Sequence, residues 1–184
     1  MKLFLLGALV LRVAFGDAVT DWNAIMRVTV NSESPPIQSR FAAITHLAVF
    51  EAVNAITRDY QPYLRTLSAD EGASPEAAAI AAAHQVLRTY FPASATTLDL
   101  ERVRSLANLP NTAAKAAGIV VGEAAAAAMI AYRARDGSGT PMAYTPLIGA
   151  GYWQPTPTGF AAAGFVHWGK MMPFGIARGD QFSP

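Results

Sequence analysis

The chain has no cysteine. A disulfide scaffold, a thiolate zinc site and a cysteine nucleophile are therefore excluded, and the redox compartment stays open. Charge is also scarce. Charged residues make up 15% of the chain, against about 25% in typical soluble domains, which excludes a charge-solvated disordered protein. A net charge of +1 gives no broad electrostatic footprint for nucleic acid, so no nucleic-acid partner is expected. The complete phosphate-cradling Gly-x-x-x-x-Gly-Lys-Ser/Thr loop is missing, since Met171 follows the Gly164 to Lys170 stretch that has its spacing, and the Gly-x-Ser-x-Gly elbow, HExxH and the EF-hand loop are missing too. What is present is 184 residues with 52% apolar content. That is enough for one domain, or one domain and a tail, with a buried core.

The N-terminus reads as an export signal. Lys2 precedes the apolar run Leu3 to Leu11, and Ala14 and Gly16 place small residues ahead of a cut before Asp17. Mature protein is expected to start near Asp17, in the periplasm or outside the cell. The run is far below the roughly 20 residues that span a bilayer, and no transmembrane span is expected in the mature chain. The competing reading is a first helix packing its leucines into the core.

After this segment the pattern predicts an all-α fold, an incomplete bundle of about five helices over residues 17–137. The first runs from an Asp21 cap to Asn31, with Trp22, Ile25, Met26 and Val30 at helical spacing. The second, capped by Ser34 with Pro35 in its first turn, runs to Ile56. Its apolar residues nearly encircle it, so it is expected to be the buried helix, with Phe50 and Val53 inside. Ser74-Pro75-Glu76 opens the third, which stops near Phe91-Pro92. Ser94 caps the fourth, to Ala107, with Asp99–Arg102 and Glu101–Arg104 as exposed pairs. Asn111 caps the fifth, to Arg135, with Gly137 as its stop. Gly118 and Gly122 share a face of that helix and predict close packing inside the bundle, because Lys115 and Glu123 interrupt a membrane-type stripe.

Residues 138–184 change character. Prolines and glycines alternate with Tyr144, Tyr152, Trp153, Phe160, Trp168, Phe174 and Phe182. So long a loop is uncommon in a compact domain, and its aromatics need something to bury against. It reads as a strap lying on a surface to which another segment or a second copy of the chain contributes.

No residue set reads as catalytic, cofactor-binding or metal-ligating. His46, His84 and His167 are not spaced as a metal pair on one helix turn. Arg40, Ile44, Leu47, Glu51, Asn54 and Arg58 form one stripe of the second helix. Its polar members, together with His46, predict a buried hydrogen-bonded network at His46, Glu51 and Asn54 rather than an active site. His84 is expected to be partly exposed. His167-Trp168-Gly169-Lys170 holds one histidine and one lysine, too few for a catalytic constellation.

Several strings taken in order carry more information: DWNAI (21–25), SRFAAITHLAVFEAVNAI (39–56), YQPYL (60–64), GASPEAAAIAAAHQVL (72–87), AKAAGIVVGEAAAAAMIAYRARDG (114–137), YTP (144–146), GYWQPTP (151–157) and WGKMMPFGIARGDQFSP (168–184). This ordered set resembles the N-terminal half of bacterial vanadium-dependent haloperoxidases, relatives of the type-2 phosphatidic acid phosphatases. The resemblance implies oxidation of a halide by hydrogen peroxide in the intact protein, with vanadate as cofactor. In that family the oxyanion is held by a Lys before Arg-Pro, a Pro-Ser-Gly-His loop and a Ser-Arg followed by a histidine. None of these occurs here. The lysines are Lys2, Lys115 and Lys170, and the only Ser-Arg pair is Ser39-Arg40, followed by His46. That string belongs to the family's N-terminal helices, so it reads as a chance match.

The resemblance therefore implies a scaffold half whose catalytic half lies beyond QFSP, inactive and binding no cofactor by itself, and prone to self-associate as a homo-oligomer. Two alternatives stand beside it. One is a related acid-phosphatase-type phosphomonoester hydrolase. The other is a non-enzymatic exported helical module that binds a partner through the strap.

Overall fold

Each helix is started by chemistry local to its first turn. In the computed structural model, which describes residues 17–64, 67–70, 72–140 and 142–182, α1 spans Ala18–Thr29 and is capped by Asp17, whose Oδ1 accepts from the Thr20 N–H at 2.8 Å. The cap is thus Asp17, four residues before the expected Asp21, which lies in the first turn as a favourable acid. The expected signal segment, residues 1–16, lies outside the described residues. Helix α2, Pro35–Thr57, starts on two prolines. Helix α3, Pro75–Tyr90, is capped by Ser74 Oγ, which accepts from the Ala77 N–H at 3.1 Å. A 3₁₀ turn at Pro92–Ser94 runs straight into α4, Ala95–Ala107, and Ser94 makes no side-chain cap. Helix α5, Ala113–Arg133, is capped by Thr112 rather than by the expected Asn111.

The described residues contain no strand, and the fold is all-α. Its central helix is α3. Every residue from Ala77 to His84 is buried, and α5, α2, α1 and α4 all pack on it. This corrects the expectation that α2 is the enclosed helix. Helix α2 is an outer wall, and Phe50 and Val53 on it are only half-buried. Encircling apolarity did not decide the matter; side-chain size did. A helix covered by alanine lets its neighbours approach on all sides, whereas Phe41, Leu47 and Phe50 are large enough to leave part of their surface in water.

The closest approach is between α3 and α5. A Cβ placed on Gly118 would run into the Ser74 carbonyl oxygen, and one on Gly122 into that of Ala78. The two glycines let the α5 backbone lie directly against α3. Helix α5 is long and apolar enough to cross a membrane by length and composition. Its Gly118, Gly122, Ala125, Ala126 and Met129 face is buried in the bundle.

Beyond Gly137 the chain forms the strap, in which the described residues hold one helical piece, a 3₁₀ turn at Val166–Lys170. Phe174 returns to the bundle and packs against the core. Tyr144, Tyr152, Trp153, Phe160 and Phe182 stay exposed.

Candidate functional site

Among the described residues, three polar clusters lie in or against the bundle. The first joins three distant parts of the chain. Asp136, just past α5, is buried and accepts from both Arg40 on α2 (2.9 and 3.0 Å) and Arg133 on α5 (3.0 and 3.2 Å). Its second oxygen accepts from the Ser138 N–H at 2.9 Å. Burial pushes the Asp136 carboxyl up, but the hydrogen bonds from Ser138 and the Arg40 guanidinium outweigh it and hold the group below the ordinary carboxylate value. Arg133 is fully buried and continues outward. It donates to the Met172 carbonyl at 2.7 Å and the Pro173 carbonyl at 3.2 Å, and Phe174 covers its guanidinium at 3.8 Å. The Met172 N–H donates back to the Asp136 carbonyl at 2.8 Å. The end of the strap is therefore pinned to the end of α5.

The second cluster surrounds His84. This residue is 3% exposed, not partly open as its sequence context predicted. Two elements bury it: Trp22 of α1 stands edge-on at 6.0 Å, and α4 covers the other side. Arg102 can only donate, so its 3.4 Å contact makes His84 Nδ1 an acceptor. His84 Nε2 then carries the proton and donates to Asp99 at 2.7 Å. Burial pushes the ring's pKa down, against the opposing hydrogen bond to Asp99. Asp99 also accepts from Arg88 at 3.0 Å, while Arg102 pairs with Glu123 of α5. The expected Asp99–Arg102 pair is thus replaced by cross-helix partners, and Glu101–Arg104 forms at 2.7 Å. Helix faces explain the change: Asp99 and Arg102 both reach the buried His84, and each finds an opposite charge on another helix, Arg88 of α3 and Glu123 of α5.

The third cluster closes the loop after α2. Glu51 and Asn54 are buried. Glu51 Oε1 accepts from the Tyr63 N–H at 2.5 Å. Asn54 bonds both the N–H and the carbonyl of Tyr60 at 2.8 Å. His46, expected in the same buried network, is instead exposed and bonds Asn23 Oδ1 at 3.1 Å. At 100° per residue it falls well round the helix from Glu51 and Asn54, on the outer face.

The Ser39-Arg40…His46 string does not converge. Ser39 and His46 are exposed, while Arg40 turns inward to Asp136. The Ser39 hydroxyl donates to the Pro35 carbonyl at 3.0 Å. His167 and Trp168 both donate to the Ser138 carbonyl, and Lys170 is exposed. Arg133 and Asp136, the hub of the structure, carried no signal in sequence beyond an Arg-x-x-Asp at a helix end. Their partner Arg40 lies 96 residues from Asp136.

These arrangements pair acids with bases and leave no nucleophile beside a base. The His84–Asp99 pair is a base with its orienting carboxylate, yet Trp22 and Arg102 occupy the ring's other contacts. Among the described residues no three His, Asp or Glu side chains group as a metal site. Among the described residues Arg40 and Arg133 converge on Asp136, and Arg102 on Glu123, so these cations are spent on carboxylates rather than turned toward a shared position that an oxyanion such as vanadate would need. A surface groove of about 510 Å³ between α1 and α4 is walled by Ile25, Val28 and Leu98 and is mostly apolar. The chain matches no protein-family model, no curated protein and no solved structure.

Proposed function

We propose that this chain is the exported N-terminal helical scaffold of a vanadium-dependent haloperoxidase-like protein, without turnover of its own. The ordered strings from DWNAI to GDQF support the family. The observation that carries the scaffold role is the buried Arg40–Asp136–Arg133 hub, which fixes where the strap leaves the bundle. A scaffold half must deliver its exit segment in one place, and a buried, doubly paired carboxylate does so at the cost of desolvating three charges. Export is consistent with Asp17 as the α1 cap, since a chain cut before Asp17 keeps the whole helix.

The test has two arms. The purified chain, given vanadate, bromide and hydrogen peroxide, is expected to brominate a phenolic dye no faster than buffer, and to leave a phosphomonoester intact. Reading the coding DNA past the Pro184 codon is expected to show the Arg-Pro and Ser-Gly-His motifs. Vanadate-dependent turnover by this chain, or a frame that closes without those motifs, sinks the reading. The second outcome favours the non-enzymatic module.

A further inference from the structure

From Gly137 through Gly169 the chain holds no Asp, Glu, Lys or Arg, and the chemistry of this stretch is layered. At its root, His167 Nε2 and Trp168 Nε1 both donate to the Ser138 carbonyl, at 2.8 and 3.2 Å. Gly137, in the left-handed region at φ +88°, backs onto Lys170: a Cβ there would stand 3.5 Å from the Lys170 carbonyl oxygen. The two ends of the excursion therefore meet, and exposed Arg135 and Lys170 flank them. Further out, the Tyr144 and Trp153 rings pack at 5.9 Å and Gln154 donates to the Leu147 carbonyl at 2.7 Å, closing a neck. Beyond the neck a turn, with the Tyr152 N–H on the Gly149 carbonyl, presents Leu147 (59% exposed), Ile148 (95%) and Tyr152 (53%).

Contiguous apolar exposure of this kind marks an interaction surface. Its form selects the partner. Folded partners meet a surface whose apolar core is ringed by a polar rim, whereas the stretch around this tip, from Gly137 through Gly169, carries no charge. A bilayer surface asks for apolar groups at the acyl chains, Trp and Tyr at the interface, and cations near the phosphates. Tip, neck and root supply these in that order, and charge is absent wherever entering hydrocarbon would penalise it.

We propose that loop 144–154 inserts into the surface of a lipid bilayer, with Leu147 and Ile148 among the acyl chains, Tyr144, Tyr152 and Trp153 at the interface, and Arg135 and Lys170 at the phosphates. The reach suffices. Ten residues separate Ser138 from Ile148 and span up to about 35 Å, while interfacial insertion needs about 5–10 Å. The inference does not depend on the scaffold reading.

The test is vesicle sedimentation of the purified chain. It is expected to bind phosphatidylcholine vesicles, and more tightly when phosphatidylserine is added, by about fivefold for each root cation. Ile148→Asp is expected to lower partition on the order of tenfold with an unchanged far-UV CD spectrum. Lipids brominated on the acyl chain are expected to quench fluorescence in the unaltered chain, and Trp153→Phe to remove most of that quenching. Should Ile148→Asp fold poorly, the Trp153 comparison decides alone. Three results overturn the proposal: no vesicle binding; binding and quenching that survive both variants, which places the contact elsewhere in the chain; or self-association abolished by Ile148→Asp without any vesicle binding.

Discussion

Replacing Gly122 by alanine tests the closest contact in the bundle. The new Cβ would meet the Ala78 carbonyl oxygen and stand 2.8 Å from the Ala81 Cβ. Ordinary carbon contacts sit at roughly 3.5–4.0 Å, so α3 and α5 must part by on the order of 1 Å. The obstacle is backbone, which has no rotamer to move away. Overpacking of this kind costs about 1–3 kcal/mol, and a backbone clash belongs in the upper half of that range. Alanine returns about 0.8–1.0 kcal/mol through helix propensity. The net expectation is a loss of about 1–2 kcal/mol, or a Tm lower by about 2–8 °C for a chain of this size. Urea denaturation followed by CD at 222 nm should show a lower midpoint with an unchanged slope. Ala124→Gly, at an exposed position of the same helix, supplies the control and should cost about 1 kcal/mol from propensity alone. Gly118→Ala added to Gly122→Ala should cost less than the sum, because one parting of the helices relieves both clashes. A Gly122→Ala protein as stable as the parent would refute the reasoning, since the helices would then have room to spare.

Three further outcomes follow from the same structure. Burial lowers the pKa of His84 from 6.5, so below that value the unfolded chain takes up the proton first and stability falls as pH drops. His84→Gln should flatten this acid limb in denaturation midpoints measured from pH 7.5 to 5. Arg133→Met removes one of the two cations on Asp136 and both donors to the Met172 and Pro173 carbonyls. It should cost about 3–5 kcal/mol and speed tryptic cleavage at Lys170 and Arg178, read by mass spectrometry. Phe50→Ala should cost only about 1–2 kcal/mol, because the ring is half-buried beside Tyr60; a loss of about 4 kcal/mol, as in a closed core, would place the ring inside.

Helix positions were legible because their signals are local. Ser74-Pro75-Glu76 starts α3 and Pro35 starts α2, each set by the backbone chemistry of one turn; α5, by contrast, ends at Arg133 with Ala134 as its cap, short of the expected Arg135 and of the Gly137 stop. Two caps were placed wrongly from spacing: Asp17, not Asp21, caps α1, and Thr112, not Asn111, caps α5. The small face of α5 was readable too, since only a close neighbour gives Gly118 and Gly122 a structural use.

The clusters were much less legible. The stripe carrying Arg40, Glu51 and Asn54 could be drawn from helical geometry, and these three do point inward, while Arg58 at its end is exposed. Their partners could not be drawn, because Tyr60 and Tyr63 sit in a loop and Asp136 lies on the far side of α3 in sequence. His46 and His84 exchanged the roles expected of them for the same reason. A histidine's burial depends on what crosses over it, and Trp22 and α4 cross over His84 while nothing comparable covers His46.

By itself, then, the amino-acid sequence determined the helices, their order, the absence of thiol chemistry and an uncharged aromatic strap. These rest on composition and on contacts within a turn or two. Only the tertiary structure decided that α3 is the centre, that Arg133 and Asp136 pin the strap, and that the loop from Tyr144 to Gln154 closes on itself with its apolar tip outward. Those features depend on which distant surfaces meet, and that is settled by side-chain volume and by pairing of buried charge across the whole bundle.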